Sequence, residues 1–165
     1  MKVPITHLLY GLILVCGIYY TTFAQQMAVE LKDLSVGADV IITGRVTEQF
    51  SSWNEDNTKI YTRATIQVEE YLKGINNGSS ITVTYLGGEI GEVGEMYSHM
   101  PRFEDQEEVL VFLKKDEKNS DYKVFNGENG KISVINDPKT GEKVTTSNVQ
   151  INSLKAQIKS YSKEQ

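Results

Sequence analysis

Cysteine is almost missing from this 165-residue chain; the one present is Cys16. An intrachain disulfide is therefore excluded, and so is a thiolate metal cage, which needs several sulfur ligands. Histidine is nearly as scarce, with only His7 and His99. Positive charge is in deficit: 17 Lys and Arg stand against 22 Asp and Glu, for a formal net charge of −5. Nucleic acid and anionic membrane surfaces call for clustered basic residues, so neither fits as a partner. After the N-terminal region, no apolar run approaches the about 20 residues that a membrane span needs.

Both His7 and Cys16 fall in a stretch that reads as a secretory signal peptide over residues 1–24. Lys2 supplies the early positive charge, Leu8 to Ile18 the short apolar core, and Thr22 and Ala24 the small residues a signal peptidase reads. Cleavage after Ala24 is expected, which leaves residues 25–165 as a secreted or periplasmic chain. Two rival readings are weighed. Lipidation at Cys16 wants a small residue before the cysteine, and Val15 is there instead. An uncleaved anchor would extend the apolar run through Ile18, Tyr19 and Tyr20. After cleavage the chain is one charge more negative, free of cysteine and left with His99 alone, so a two-histidine zinc site within one chain is excluded. No cofactor and no metal is expected, and no membrane association after cleavage.

The exported part reads as a single, mainly β domain. Ala28, Leu31 and Leu34 at helical spacing predict a short helix over 27–36, ended by Gly37. Val40 to Gln49 predicts a strand whose Gly44 implies a bulge, a bend or a close backbone approach. Residues 51–58 read as a polar loop. Ile60 to Leu72 alternates strictly and is long enough to require bending. Ser80 to Leu86 and Glu108 to Lys115 predict two more strands, the second apolar at every central position and hence covered on both faces. Tyr122 to Asn126 and Lys131 to Ile135 predict a hairpin, and the turn Asp137 to Gly141 follows. Ile151, Leu154, Ile158 and Tyr161 form the stripe of a C-terminal helix over about 148–162, with Asn148 or Asn152 as cap. About six bent strands between two helices predict a small antiparallel, OB-like barrel; a β-sandwich is the alternative.

The unusual stretch is 87–103, which carries Gly87, Gly88, Glu89, Tyr97, His99 and Arg102. A connection of this length is either a mobile surface loop or a contact loop. Its glycines let a backbone approach closely, but three glutamates and the lack of a following Lys exclude a phosphate loop. Glu89, Glu92 and Glu95 offer calcium oxygens without a calcium-loop spacing. Trp53 is either a hydrophobic anchor for a partner or a ring folded back over the barrel mouth. His99 invites an acid–base role only if a carboxylate orients it inside a pocket.

The order of several segments is familiar: Ala38 to Val46 (ADVIITGRV), Val68 to Gly74 (VEEYLKG), Ile81 to Val83, Gly87 to Glu89, Pro101 to Phe103, and Glu108 to Leu113. It resembles a group of small secreted bacterial proteins, some found beside matrixin-type metalloproteases. More distantly it is similar to the netrin-like domain of tissue inhibitors of metalloproteinases, an OB-type barrel. The resemblance implies an extracellular role and a protein partner, among them a metalloprotease. It does not carry over inhibition through an N-terminal cysteine, because the processed chain starts at Gln25 and has none. Three functional expectations follow. The first is a non-enzymatic binding module using Trp53 and the 87–103 segment. The second is a hydrolase built on His99 and loop glutamates. The third is a structural envelope protein.

Overall fold

The computed structural model describes residues 30–76, 78–116 and 120–163; the signal peptide expected over 1–24 lies outside them. Residues 30–37 are helical (α1), with Gly37 as the last helical residue. The compact unit that holds the barrel starts at Leu34. Strands follow at Val40–Trp53 (β1), Ile60–Lys73 (β2), Ser80–Leu86 (β3), Gly88–Ile90 (β4), Val93–Glu95 (β5), Glu108–Lys115 (β6), Tyr122–Val124 (β7), Lys131–Asn136 (β8) and Lys143–Thr145 (β9). A C-terminal helix (α2) spans Ile151–Lys163.

β1 is long enough to pair with two neighbours. One edge meets β2 along the strand, and the other meets β6 over Val40–Arg45. β2 continues to β3, β3 meets β7 in parallel at Val83 and Tyr122, and β7 returns to β6. This order closes a five-strand barrel with OB-like connectivity. Closure bends β1, and Gly44 is where the backbones crowd. A Cβ there would overlap the Gln67 carbonyl and press on Ile66, and the β1–β2 register slips beside it. Of the bulge, bend or close approach that Gly44 implies, the close backbone approach is present, with a register irregularity beside it.

The barrel interior is filled by Val40, Ile42 and Val46 of β1, Ala64 and Ile66 of β2, Ile81 and Val83 of β3, Val109, Val111 and Leu113 of β6, and Phe103 and Tyr122. A second buried layer lies outside. Ile41, Thr43, Leu110 and Phe112 take the opposite face of β1 and β6 and are also buried. α2 packs against β2 and β9 and buries Ile151 and Ile158. Lys155 and Lys159 reach Glu70 of β2 at 2.9 and 2.6 Å. Their hydrogen bonds, Lys159 foremost, hold the Glu70 carboxyl below its ordinary pKa. At the end of β2, Lys73 donates to the Ser35 and Val36 carbonyls at 2.9 Å, satisfying carbonyls at the end of α1.

Several expectations are corrected. β1 runs on through Ser51 and Ser52 to Trp53, where a polar loop was expected. The 87–103 segment is not one long loop, since β4 and β5 pair within it as a hairpin. Tyr122–Val124 and Lys131–Asn136 do not pair with each other. Both line the free edge of β6, β7 against Leu113–Lys115 and β8 against Glu108–Val111, with a 3-10 turn at Gly127–Gly130 between them. β9 was not anticipated. α2 starts at Ile151, and neither Asn148 nor Asn152 caps it. Asn148 takes φ 62° and donates its N–H to the Thr145 carbonyl at 2.8 Å, while Asn152 sits inside the helix.

Candidate functional site

The inner face of the barrel turns polar at the end where β1 stops and β2 starts. A bulge at Thr47 changes the pairing, so that Gln49 opposes Ala64, Ser51 opposes Thr62 and Trp53 opposes Ile60. Gln49 and Ser51 thus inherit the inward parity of the core, and so do Thr62 and Tyr85, which pair with each other. Above these four side chains lies an open cavity of about 630 Å³, whose walls are the β4–β5 hairpin and residues 96–105. That volume is in the usual range for ligand pockets.

A chain of hydrogen bonds makes the floor. Thr62, 3 % exposed, donates to the Gly87 carbonyl at 2.7 Å. Its oxygen lies 2.8 Å from Ser51 Oγ. Tyr85 donates to Gln49 Oε1 at 2.9 Å, and Gln49 Nε2 donates to Asp105 at 3.0 Å. Burial pushes the Tyr85 phenol above its ordinary pKa. Glycine is required where the hairpin meets this floor. Gly88 has φ 139°, and a Cβ there would overlap Thr62 Oγ1 and crowd Ser51.

The walls are pinned at both ends. Glu95 of β5 accepts from the Ile60 backbone N–H at 2.9 Å and from the Tyr97 hydroxyl at 3.0 Å, and Gly87 N–H binds the Ile60 carbonyl at 2.8 Å. Donation to that carboxylate raises the Tyr97 pKa. At the far end, Phe103 is buried in the barrel core beside Tyr85, ring centroids 5.6 Å apart. Lys131 lies 5.3 Å over the Phe103 ring, donates to the Arg102 carbonyl and pairs with Glu107 at 2.7 Å. The Arg102 guanidinium itself meets the Met96 sulfur at 3.6 Å and is the one basic group among the described lining residues.

Of the residues singled out in the sequence, Gly87, Gly88, Glu89, Tyr97 and Arg102 line this cavity, and Trp53 and His99 do not. Trp53 closes β1 beside Ile60 and is 36 % exposed. The His99 side chain is 86 % exposed, with Nδ1 3.2 Å from Glu128 Oε1. Its carbonyl accepts the Glu128 N–H at 3.0 Å, which ties the wall to the 3-10 turn. An acid–base role needed His99 and a glutamate inside one concave pocket, and this placement does not provide it. Among the described residues no three His, Cys, Asp or Glu converge as a metal cage. Glu89 and Glu95 sit on the paired strands and Glu92 at the tip between them.

The sequence reading missed Gln49, Ser51, Thr62 and Tyr85 as lining residues. A signal was present: Thr62 shares the apolar parity of Ile60, Ala64 and Ile66, and a hydroxyl at core parity near a strand end marks where the interior becomes wet.

A scan against protein-family models finds no match, and a search of curated proteins finds no relative. Among the described residues no helix is long and apolar enough to cross a membrane.

Proposed function

We propose that this is an exported, non-enzymatic binding module whose barrel mouth receives a protein partner. The observation that carries the reading is the mouth itself: a pinned hairpin and wall hold open a cavity over a preformed polar floor. Exposed apolar side chains stand on the same segments, including Val93 (49 %), Met96 (75 %) and Met100 (36 %), with Trp53 (36 %) at the end of β1. Exposed aromatic and thioether groups around a depression are the usual anchors of protein recognition. The signal-peptide pattern over 1–24 supports export. The resemblance to netrin-like and protease-associated secreted proteins supports an extracellular or periplasmic partner, with a metalloprotease among those to try. The test is recovery of partners from culture medium with the protein as bait. Trp53→Ala and Tyr97→Ala should each reduce recovery by about tenfold, as loss of an anchor does. Undiminished recovery in both variants contradicts the mouth as the binding surface.

A further inference from the structure

The polarity of the hydrogen bonds around the mouth restricts what it can receive. The Gly87 carbonyl can only accept, so the single Thr62 hydroxyl proton is committed to it. The 2.8 Å contact between Ser51 and Thr62 must then be donated by Ser51. Ser51 Oγ is left with lone pairs and no proton to offer. Tyr97 is in the same position, because its proton goes to Glu95 Oε2. Both hydrogen bonds on Glu95 use that one oxygen, which leaves Oε1 as a further acceptor. Asp105 fixes the Gln49 amide, because a carboxylate can only accept from Nε2. That turns Oε1 toward Tyr85 and leaves one amide N–H as a donor. Glu89, Glu95 and Asp105 line the cavity against one basic residue, Arg102. The mouth therefore offers acceptors and net negative charge, with thioether and aromatic surface from Met96, Met100 and Phe103 beside them.

We infer that the mouth is a subsite for a cation carried on an alkyl stem, a guanidinium or primary ammonium, supplied by a basic side chain of the partner. The stem lies along Met96, Met100 and Phe103, and the cationic head donates to Ser51 Oγ, Tyr97 Oη and Glu95. The Arg102 guanidinium lies beside the Met96 sulfur on the wall as a like charge. It opposes the cation and turns it toward Glu95. The inference rests on the mouth being the binding surface and adds the chemistry of what enters it.

The test is an amide-resolved NMR titration of the protein with Nα-acetyl-arginine methylamide, its neutral citrulline counterpart, and agmatine. The arginine compound should give saturable shifts at Gly87, Gly94 and Tyr97 and bind about tenfold more tightly than the citrulline compound, as a charge-assisted bond requires. Glu95→Gln keeps an acceptor for Ile60 and Tyr97 but loses the charge, and should weaken binding about tenfold. Arg102→Gln should tighten it about threefold, by removing a screened like charge. Citrulline binding as tightly as arginine, shifts confined to other surfaces, or unchanged affinity in Glu95→Gln each overturn the cation subsite. Agmatine binding tenfold more tightly than the peptide-like compound supports the cation chemistry but assigns it to a free small cation, and so overturns the protein partner alone. Partner recovery that depends on Trp53 and Tyr97, together with equal citrulline binding, overturns the subsite alone.

Discussion

Replacing Gly88 with alanine drives a methyl group between β4 and the floor of the mouth. Two costs add. The first is conformational: φ 139° lies where side chains other than hydrogen are strained, at about 1–3 kcal/mol. The second is steric. The methyl overlaps Thr62 Oγ1, and Thr62 is buried and held by Gly87, so Ser51 must turn away and give up its bond to Thr62, at about 1 kcal/mol. The sum is about 2–4 kcal/mol against keeping the hairpin docked. Urea denaturation followed by circular dichroism reads the global part, and hydrogen exchange at Gly87 and Ile60 reads the docking. Two neighbours calibrate the reasoning. Gly91 has φ 61° but nothing within 4 Å of a Cβ, so alanine there should cost only strain, about 1 kcal/mol. Gly94 has no positive φ, and a Cβ there meets the Glu89 side chain at 3.4 Å and the Gly88 carbonyl at 4.0 Å, so alanine there should be close to neutral. Equal effects at all three glycines, or a Gly88→Ala protein with unchanged exchange at Gly87 and Ile60, would refute the docked hairpin.

Other outcomes follow from the packing outside the barrel. Thr43 is 4 % exposed and its hydroxyl has no hydrogen-bond partner. Thr43→Val should therefore stabilise the fold by about 1 kcal/mol, read as a higher urea midpoint at constant slope; destabilisation would mean that the hydroxyl is satisfied after all. Glu70 has a lowered pKa in the fold relative to 4.5, so its ion pairs with Lys159 and Lys155 stabilise at neutral pH and lose that effect as pH falls through the folded value. Glu70 is more than a third exposed, so the contribution is screened and below about 1 kcal/mol. Glu70→Gln should lower Tm slightly at neutral pH and converge with the parent in acid, so that its acid limb below 4.5 is flatter.

Where hydrophobic alternation and covering coincide, the sequence was readable. Ser80–Leu86 and Glu108–Lys115 were anticipated to the residue, because each is an apolar run bounded by turns or charge. β2 ends at Lys73, one residue beyond the expected Leu72. The end of β1 beyond Gln49 was hidden by its own environment. Ser51 and Ser52 are polar because that part of the strand borders the wet mouth, so polarity there does not mark a loop. The β4–β5 hairpin has three residues a side and glycine at Gly88 and Gly94, which leaves no periodicity to read. Its position comes instead from tertiary bonds, Glu95 to Ile60 and Gly87 to Thr62, between segments 25 to 35 residues apart. The β7–β8 error has a similar origin. Two short strands around a glycine-rich turn look like a hairpin locally, but the unpaired edge of β6 takes both. Gly87, Gly88, Glu89, Tyr97 and Arg102 were recognised as a set because the segment is unusual for its length and glycine content. The floor beneath them was not, since it is assembled from three strands.

Binding of the partner at the barrel mouth is measured most directly by site-specific photocrosslinking. A photoreactive residue at Met96, on the mouth wall and 75 % exposed, is compared with one at Ile75, 79 % exposed on the turn after β2 at the opposite end of the barrel. Both probes sit in equally open surface, so exposure alone favours neither. A partner should form an adduct at position 96 that is lost on adding excess unlabelled protein, and none at position 75. Adducts of equal yield from both positions, or from position 75 alone, would contradict it.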